Sequence, residues 1–133
     1  MNPIRVQLTA ADHVIDARVA RTPEQRALGL MHRTELDPNE GMLFVCDEHA
    51  VQRFWMKDTP VPLSIAFLDD DGTILHVDDL DPHSLEGCSS RQPVRYVLEM
   101  PQGWFRERGI GPGDRVAGPA FIGAAAGQPA EAD

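Results

Sequence analysis

One stretch restricts the fold more than any other. Leu63, Ile65 and Phe67 alternate with Ser64, Ala66 and Leu68, and Ile74, Leu75 and Val77 follow a four-residue break. The break is Asp69-Asp70-Asp71-Gly72, a turn in which Gly72 can take positive φ. Alternation on both sides of such a turn predicts an antiparallel hairpin. A hairpin alone is marginal in water, so the chain must supply further strands and a second layer.

Those strands are visible. Ile4, Val6 and Leu8 alternate with polar residues before Ala10-Ala11-Asp12-His13, and Ile15, Ala17 and Val19 do so after it. This predicts an N-terminal hairpin. Met42-Leu43-Phe44-Val45 is unbroken and apolar, which suits a strand covered on both faces, and Asp47 to Ala50 is read as a turn. Val51 to Met56 reads as a buried strand with Trp55 in the core. Pro60 and Pro62 then force the chain out of any central ladder. Asp78 to Gln92 reads as a long polar loop, Val94 to Glu99 as a strand and Arg115-Val116-Ala117 as the last one. Thr22-Pro23-Glu24-Gln25 opens a short helix with a capping box. That helix is too short to stand alone, so its Leu28 and Met31 face is expected to pack on the sheet. Pro101 to Arg108 is a second short helix, stopped by Gly109, with Trp104 partly covered.

The expected fold is therefore α+β and mostly β: a strongly bent antiparallel or mixed sheet, or a small barrel, with two short helices. The 133 residues suit one domain over 1–122, with a disordered tail over 123–133, where Ala, Gly, Pro and acid dominate. A chain of this size buries about two-thirds of its unfolded surface, enough for a core without disulfides or metal.

Composition narrows the partners. A net charge of −9 disfavours nucleic acid and anionic membranes. No apolar run reaches the ~20 residues of a membrane span. Met1 to Arg5 lacks the apolar core of a signal peptide, so the sequence as given reads as cytoplasmic, or as exported if a leader has been trimmed. Cys46 is expected in the core and Cys88 in a polar loop; a pair between them is possible but makes no framework. His13, His32 and His49 fall in or near turns.

Several familiar chemistries lack their residues. Asp69-Asp70-Asp71-Gly72 has the wrong spacing for calcium. His76, Asp78, Asp79, Asp81, His83 and Cys88 form a loose set without a known ligand spacing, so no metal and no cofactor is expected. Ser89-Ser90 is not a nucleophile elbow, and no phosphate-binding glycine loop is present.

Order and spacing of several blocks carry a resemblance. Thr22-Pro23-Glu24-Gln25-Arg26-Ala27-Leu28-Gly29-Leu30-Met31, Glu40-Gly41-Met42-Leu43-Phe44, Phe54-Trp55-Met56-Lys57-Asp58-Thr59 with Pro62-Leu63, Arg95-Tyr96-Val97-Leu98-Glu99 and Gly113-Asp114-Arg115-Val116 run in sequence over roughly residues 4–122. Together they resemble the bacterial and archaeal family called domain of unknown function 192. The resemblance implies a small β-rich domain and no particular activity. Many members are exported behind a signal. The family typically has Asn where Asp58 stands and Asp where Ser64 stands.

Candidate site residues gather at the proline-stiffened corner. Trp55, Lys57, Asp58, Thr59 and Pro62, with Arg95 and Glu99, are read as a groove for a small molecule or a peptide segment. Lys57 can bind an anion or carbonyl; Asp58 and Thr59 can orient a ligand or can simply bond the turn's own backbone. Arg95 and Glu99 share a strand face, as a buried pair or as surface charges. An enzyme with Glu99 or Asp58 as acid or base and Lys57 as electrostatic stabiliser is the second reading. A structural partner acting through an exposed strand edge is the third.

Overall fold

The hairpin turn at Ala11-Asp12 starts the sheet. Both residues take positive φ, 46° and 68°, which matches the twist of the flanking strands. They join β1 (Ile4–Ala10) to β2 (His13–Ala20). The computed structural model describes residues 4–121. The expected tail over 123–133 lies outside the described residues.

Next comes α1 (Pro23–Leu28). The Thr22 hydroxyl accepts the Gln25 N–H at 3.1 Å, and the Gln25 side-chain oxygen accepts the Thr22 N–H at 3.1 Å, the reciprocal cap that the sequence predicts. The chain then returns to β3 (Glu40–Ala50), which lies parallel to β2. Glu40 anchors this return. Its buried carboxylate takes Arg18 at 3.1 Å, Arg33 at 3.0 Å and the Asp37 N–H at 3.1 Å.

The remaining elements are β4 (Arg53–Phe54), β5 (Leu63–Leu68), β6 (Ile74–Leu80), β7 (Cys88–Ser89), β8 (Val94–Pro101), α2 (Trp104–Glu107) and β9 (Val116–Ala117). Seven strands form one sheet in the order β6-β5-β8-β3-β2-β1-β9, antiparallel except between β2 and β3. The sheet curls until its ends meet. Thr73 bridges Arg115, and the Val116 N–H donates to the Gly72 carbonyl at 2.9 Å. The expected bent, mixed sheet with two short helices is what forms.

Curling creates two apolar faces. The concave face collects Leu8, Ile15, Leu43, Leu98 and Met100, and α2 closes it with Trp104 and Phe105. The convex face carries Met42, Phe44, Ile65, Phe67 and Val97, and is covered by Leu30, Met56 and Val61 from irregular chain. This explains why β3, β5 and β8 lack clean alternation: both sides are buried.

Five local expectations fail. The strand expected over 51–56 shrinks to Arg53–Phe54 and pairs with β7 in a separate ribbon, because the chain leaves the main sheet to cover its convex face. Trp55 is consequently half exposed and Trp104 buried, the reverse of expectation. Asp47 to Ala50 is no turn: β3 continues through a register shift after Val45 until Ala50 meets Val94. Finally, α1 buries none of its residues, and Leu28 is 55% exposed. The loop expected over 78–92 is also shortened, by β6 running to Leu80 and by β7.

Gly41 marks the tightest approach in the sheet. A Cβ there would collide with the Met100 sulfur and the Glu99 carbonyl oxygen. Gly41→Ala should therefore cost about 1–3 kcal/mol through forced separation of β3 and β8. Urea unfolding of both proteins checks this, and an unchanged midpoint would contradict the packing described.

Candidate functional site

An unfilled space lies beneath α1. The helix and the chain after it, from Arg26 to Met31, form one wall; Gln52 to Met56 form the opposite wall. The floor is the convex face of the sheet, through Phe44, Cys46, Leu63 and Glu99. The cavity measures about 290 Å³. Its origin is local: α1 ends after six residues at Gly29 (φ 50°), directly over the Phe44 ring, before it can lay an apolar face on the sheet.

Glu99 is the unusual group on this floor. In β8 it stands between Met42 of β3 and Ile65 of β5. Its side chain is only 4% exposed and has no hydrogen-bond or ion-pair partner among the described residues. Burial pushes its carboxyl up to about 8. The arginines on the walls do not relieve it. Arg26 bonds the Val45 carbonyl at 3.1 Å, the Arg21 carbonyl and Asp47. Arg53 lies against Gly87, where an added Cβ would strike its guanidinium.

The predicted residues divide into two groups. Trp55, Thr59 and Glu99 line the cavity; Lys57, Asp58, Pro62 and Arg95 do not. Lys57 stands over the Trp55 ring, 5.5 Å from its centroid. Asp58 takes a positive φ of 55°, and its carbonyl accepts the His32 N–H at 2.7 Å. Thr59 is buried and donates its hydroxyl to the Lys57 carbonyl at 3.0 Å. The Pro62 carbonyl accepts the Gln102 N–H at 3.2 Å. Thr59 thus bonds within the corner, while the Asp58 and Pro62 carbonyls tie it to the chain at His32 and Gln102. Arg95 shares a face with Glu99, but Val97 separates them by about 13 Å of strand, and the buried Arg95 Nε has no partner among the described residues.

Leu28, Leu30, Arg26 and Phe44 are lining residues that the sequence reading did not select. Their signal is the short, glycine-ended helix, whose apolar side chains outnumber the surface it can cover.

A second polar group lies apart. His76 Nε2 is 2.6 Å from Asp78 Oδ2, and the Cys88 thiol donates to the same oxygen at 3.3 Å. Burial and then Asp78 push that thiol up to about 12, which makes it a poor nucleophile. Cys46 and Cys88 are both free. Among the described residues no three His, Cys, Asp or Glu side chains are grouped to hold a metal ion. Ser64 faces the other side of β5, donating to Asp79 at 2.8 Å and accepting the Gly103 N–H at 2.9 Å. The departure from the family pattern at Ser64 thus lies away from the cavity.

Two glutamates give opposite pH dependences. For Glu99, between its ordinary 4.5 and about 8, the folded chain keeps a proton that the unfolded chain has lost. Stability should fall as pH rises through that interval, by at most ~1.4 kcal/mol per unit. For Glu40, burial raises the pKa, but the Asp37 N–H and then Arg33 and Arg18 outweigh it and hold it below 4.5. Its contribution is lost as pH falls through the folded value. Urea titrations across this range should show a decline toward alkaline pH that Glu99→Gln removes. A variant that keeps the wild-type slope would refute this assignment.

No helix among the described residues is long and apolar enough to cross a membrane. No curated protein matches the chain. Among solved structures, a "putative transcription regulator" from Sinorhizobium meliloti 1021 is similar at 39% identity, with a TM-score of 0.83, over 89% of this chain and 96% of that one. A protein of unknown function from Novosphingobium aromaticivorans is similar at 34% identity, with a TM-score of 0.79, over 87% and 85%. Residues 6–118 match DUF192, described as uncharacterized ACR. With most of its length matched in this way, the chain belongs to the domain of unknown function 192 family.

Proposed function

We propose that the chain is a binding domain for a small amphiphilic molecule, seated between α1 and the convex face of the sheet. The observation that carries this reading is Glu99, buried without a partner among the described residues in the floor of a cavity whose walls include Leu28, Leu30, Phe54 and Met56. A few polar groups in an apolar hollow is the usual form of a small-ligand site. A volume of about 290 Å³ suits a small molecule, or one inserted side chain of a peptide segment.

Two other readings have less support. Glu99 has the raised pKa of a general acid, which keeps an enzyme in view. Hydrolysis or transfer also needs an activated nucleophile, and the Cys46 thiol on the same floor is pushed up by burial. Asp58 is outside the cavity. A partner that pairs with a strand edge would have to compete with the contacts that join Thr73 and Gly72 to the β9 end. The regulator name of the Sinorhizobium relative fits a ligand-sensing domain. A net charge of −9 disfavours direct grip on nucleic-acid phosphates.

The test is a fragment screen of small amphiphiles by two-dimensional NMR on the full chain. Shifts should concentrate on Gly29, Leu30, Phe54, Met56 and Glu99. Ala27→Trp alters an exposed helical position at the cavity wall and should keep the fold while removing those shifts. Fragments that map elsewhere, bind Ala27→Trp equally well or fail to bind at all would remove the site.

A further inference from the structure

We propose that this cavity selects a cation: an amine or amidine attached to an apolar body, with its charged head on the Glu99 carboxylate. The inference rests on the cavity being the ligand site. It concerns the charge of the occupant, which cavity shape alone does not determine.

Three observations lead to it. First, Glu99 lacks a counter-ion among the described residues. The titratable and charged side chains around the cavity are Arg26 from α1, Cys46 from β3 and Arg53 from β4, with Lys57 over the Trp55 ring; Cys88 from β7 is close enough to feel the Glu99 charge, and Arg95 on the same face of β8 stands about 13 Å along the strand. Arg26 is committed to Asp47 and two carbonyls, and Arg53 is turned onto Gly87. Both thiols are held in their neutral form by burial first, and Cys88 also by Asp78. A ligand cation would be the partner that the fold does not provide.

Second, the surrounding side chains magnify the attraction. Met42 and Ile65 flank Glu99 on the neighbouring strands, so water screens the pair poorly. A charge-assisted hydrogen bond is about twice as strong as a neutral one. An anionic ligand would meet repulsion once Glu99 ionised.

Third, the long-range field of the whole chain favours positive charge. The chain carries a net −9. At the wall, the half-exposed Trp55 already holds one ammonium, that of Lys57, over its ring. An incoming cation could take that aromatic face only by displacing the Lys57 ammonium.

The proton balance gives a distinctive readout. At neutral pH most of the Glu99 carboxyl is protonated. An incoming ammonium keeps its own proton and displaces the carboxyl proton to solvent, leaving an ammonium–carboxylate pair. Binding should release close to one proton near neutrality and almost none once Glu99 is already ionised.

Calorimetry on the full chain with 2-phenylethylamine, 2-phenylethanol and phenylacetate provides the test. The amine should bind about tenfold or more tightly than the alcohol, and phenylacetate weakest. Titrations at about pH 6.5 in buffers of different ionisation enthalpy should report proton release, which should vanish by about pH 9. Glu99→Gln should abolish both the release and the preference for the amine.

If the alcohol or phenylacetate binds as well as the amine while shifting the cavity resonances, the cation proposal falls and the site stands. If the amine preference survives in Glu99→Gln, it reports the acidic surface and the proposal falls. If none of the three binds, the cation proposal falls; the site falls with it only if the wider fragment screen also finds nothing there.

Discussion

The structure depends on a sheet that must be covered twice. β3, β5 and β8 are apolar on both sides, and water would penalise either side left open. The sheet answers for one face by curling on itself and taking α2 as a plug. It cannot curl both ways. The other face is roofed by irregular chain and by the end of α1, and that roof is incomplete. The cavity is therefore a product of topology: it lies where the cover assembled from loops leaves a gap.

Two glutamates show how position decides chemistry. Glu40 and Glu99 are both almost completely buried. Glu40 has two arginines and a backbone donor, so it remains a carboxylate and secures the crossover between the parallel strands. Glu99 has apolar neighbours on both adjoining strands and no partner among the described residues. Retaining such a group has a stability penalty, which is the usual mark of a residue kept for something other than folding.

Much of the fold was legible because it is encoded locally. The hairpin at Asp69-Gly72, the Ala11-Asp12 turn and the Thr22 cap each rest on residues near one another in sequence. The site was only partly legible. The sequence points to Glu99, Trp55 and Thr59, but as parts of a corner where Thr59 bonds the Lys57 carbonyl and the Asp58 carbonyl is tied to His32. The two tryptophans were exchanged because local pattern does not reveal which side of a sheet a segment will cover. Trp104 follows Gly103, whose φ of 87° swings α2 back over the concave face, where the indole N–H reaches Asn39 at 3.1 Å. Trp55 belongs to a segment that departs from the sheet altogether.

The β4–β7 ribbon has an evolutionary implication. Backbone bonds such as the Ser90 N–H to the Gln52 carbonyl at 2.9 Å and the Met56 N–H to the Ser84 carbonyl at 2.9 Å join its two arms to each other, and it rests on the sheet through side chains such as Phe54 against Phe44 and Phe67. None of its own strands belongs to the seven-stranded sheet. It behaves as a cassette: substitutions and length changes there can remodel one wall while the foundation bearing Glu99 is inherited intact. Diversification of what homologous domains accommodate should accordingly concentrate in this ribbon.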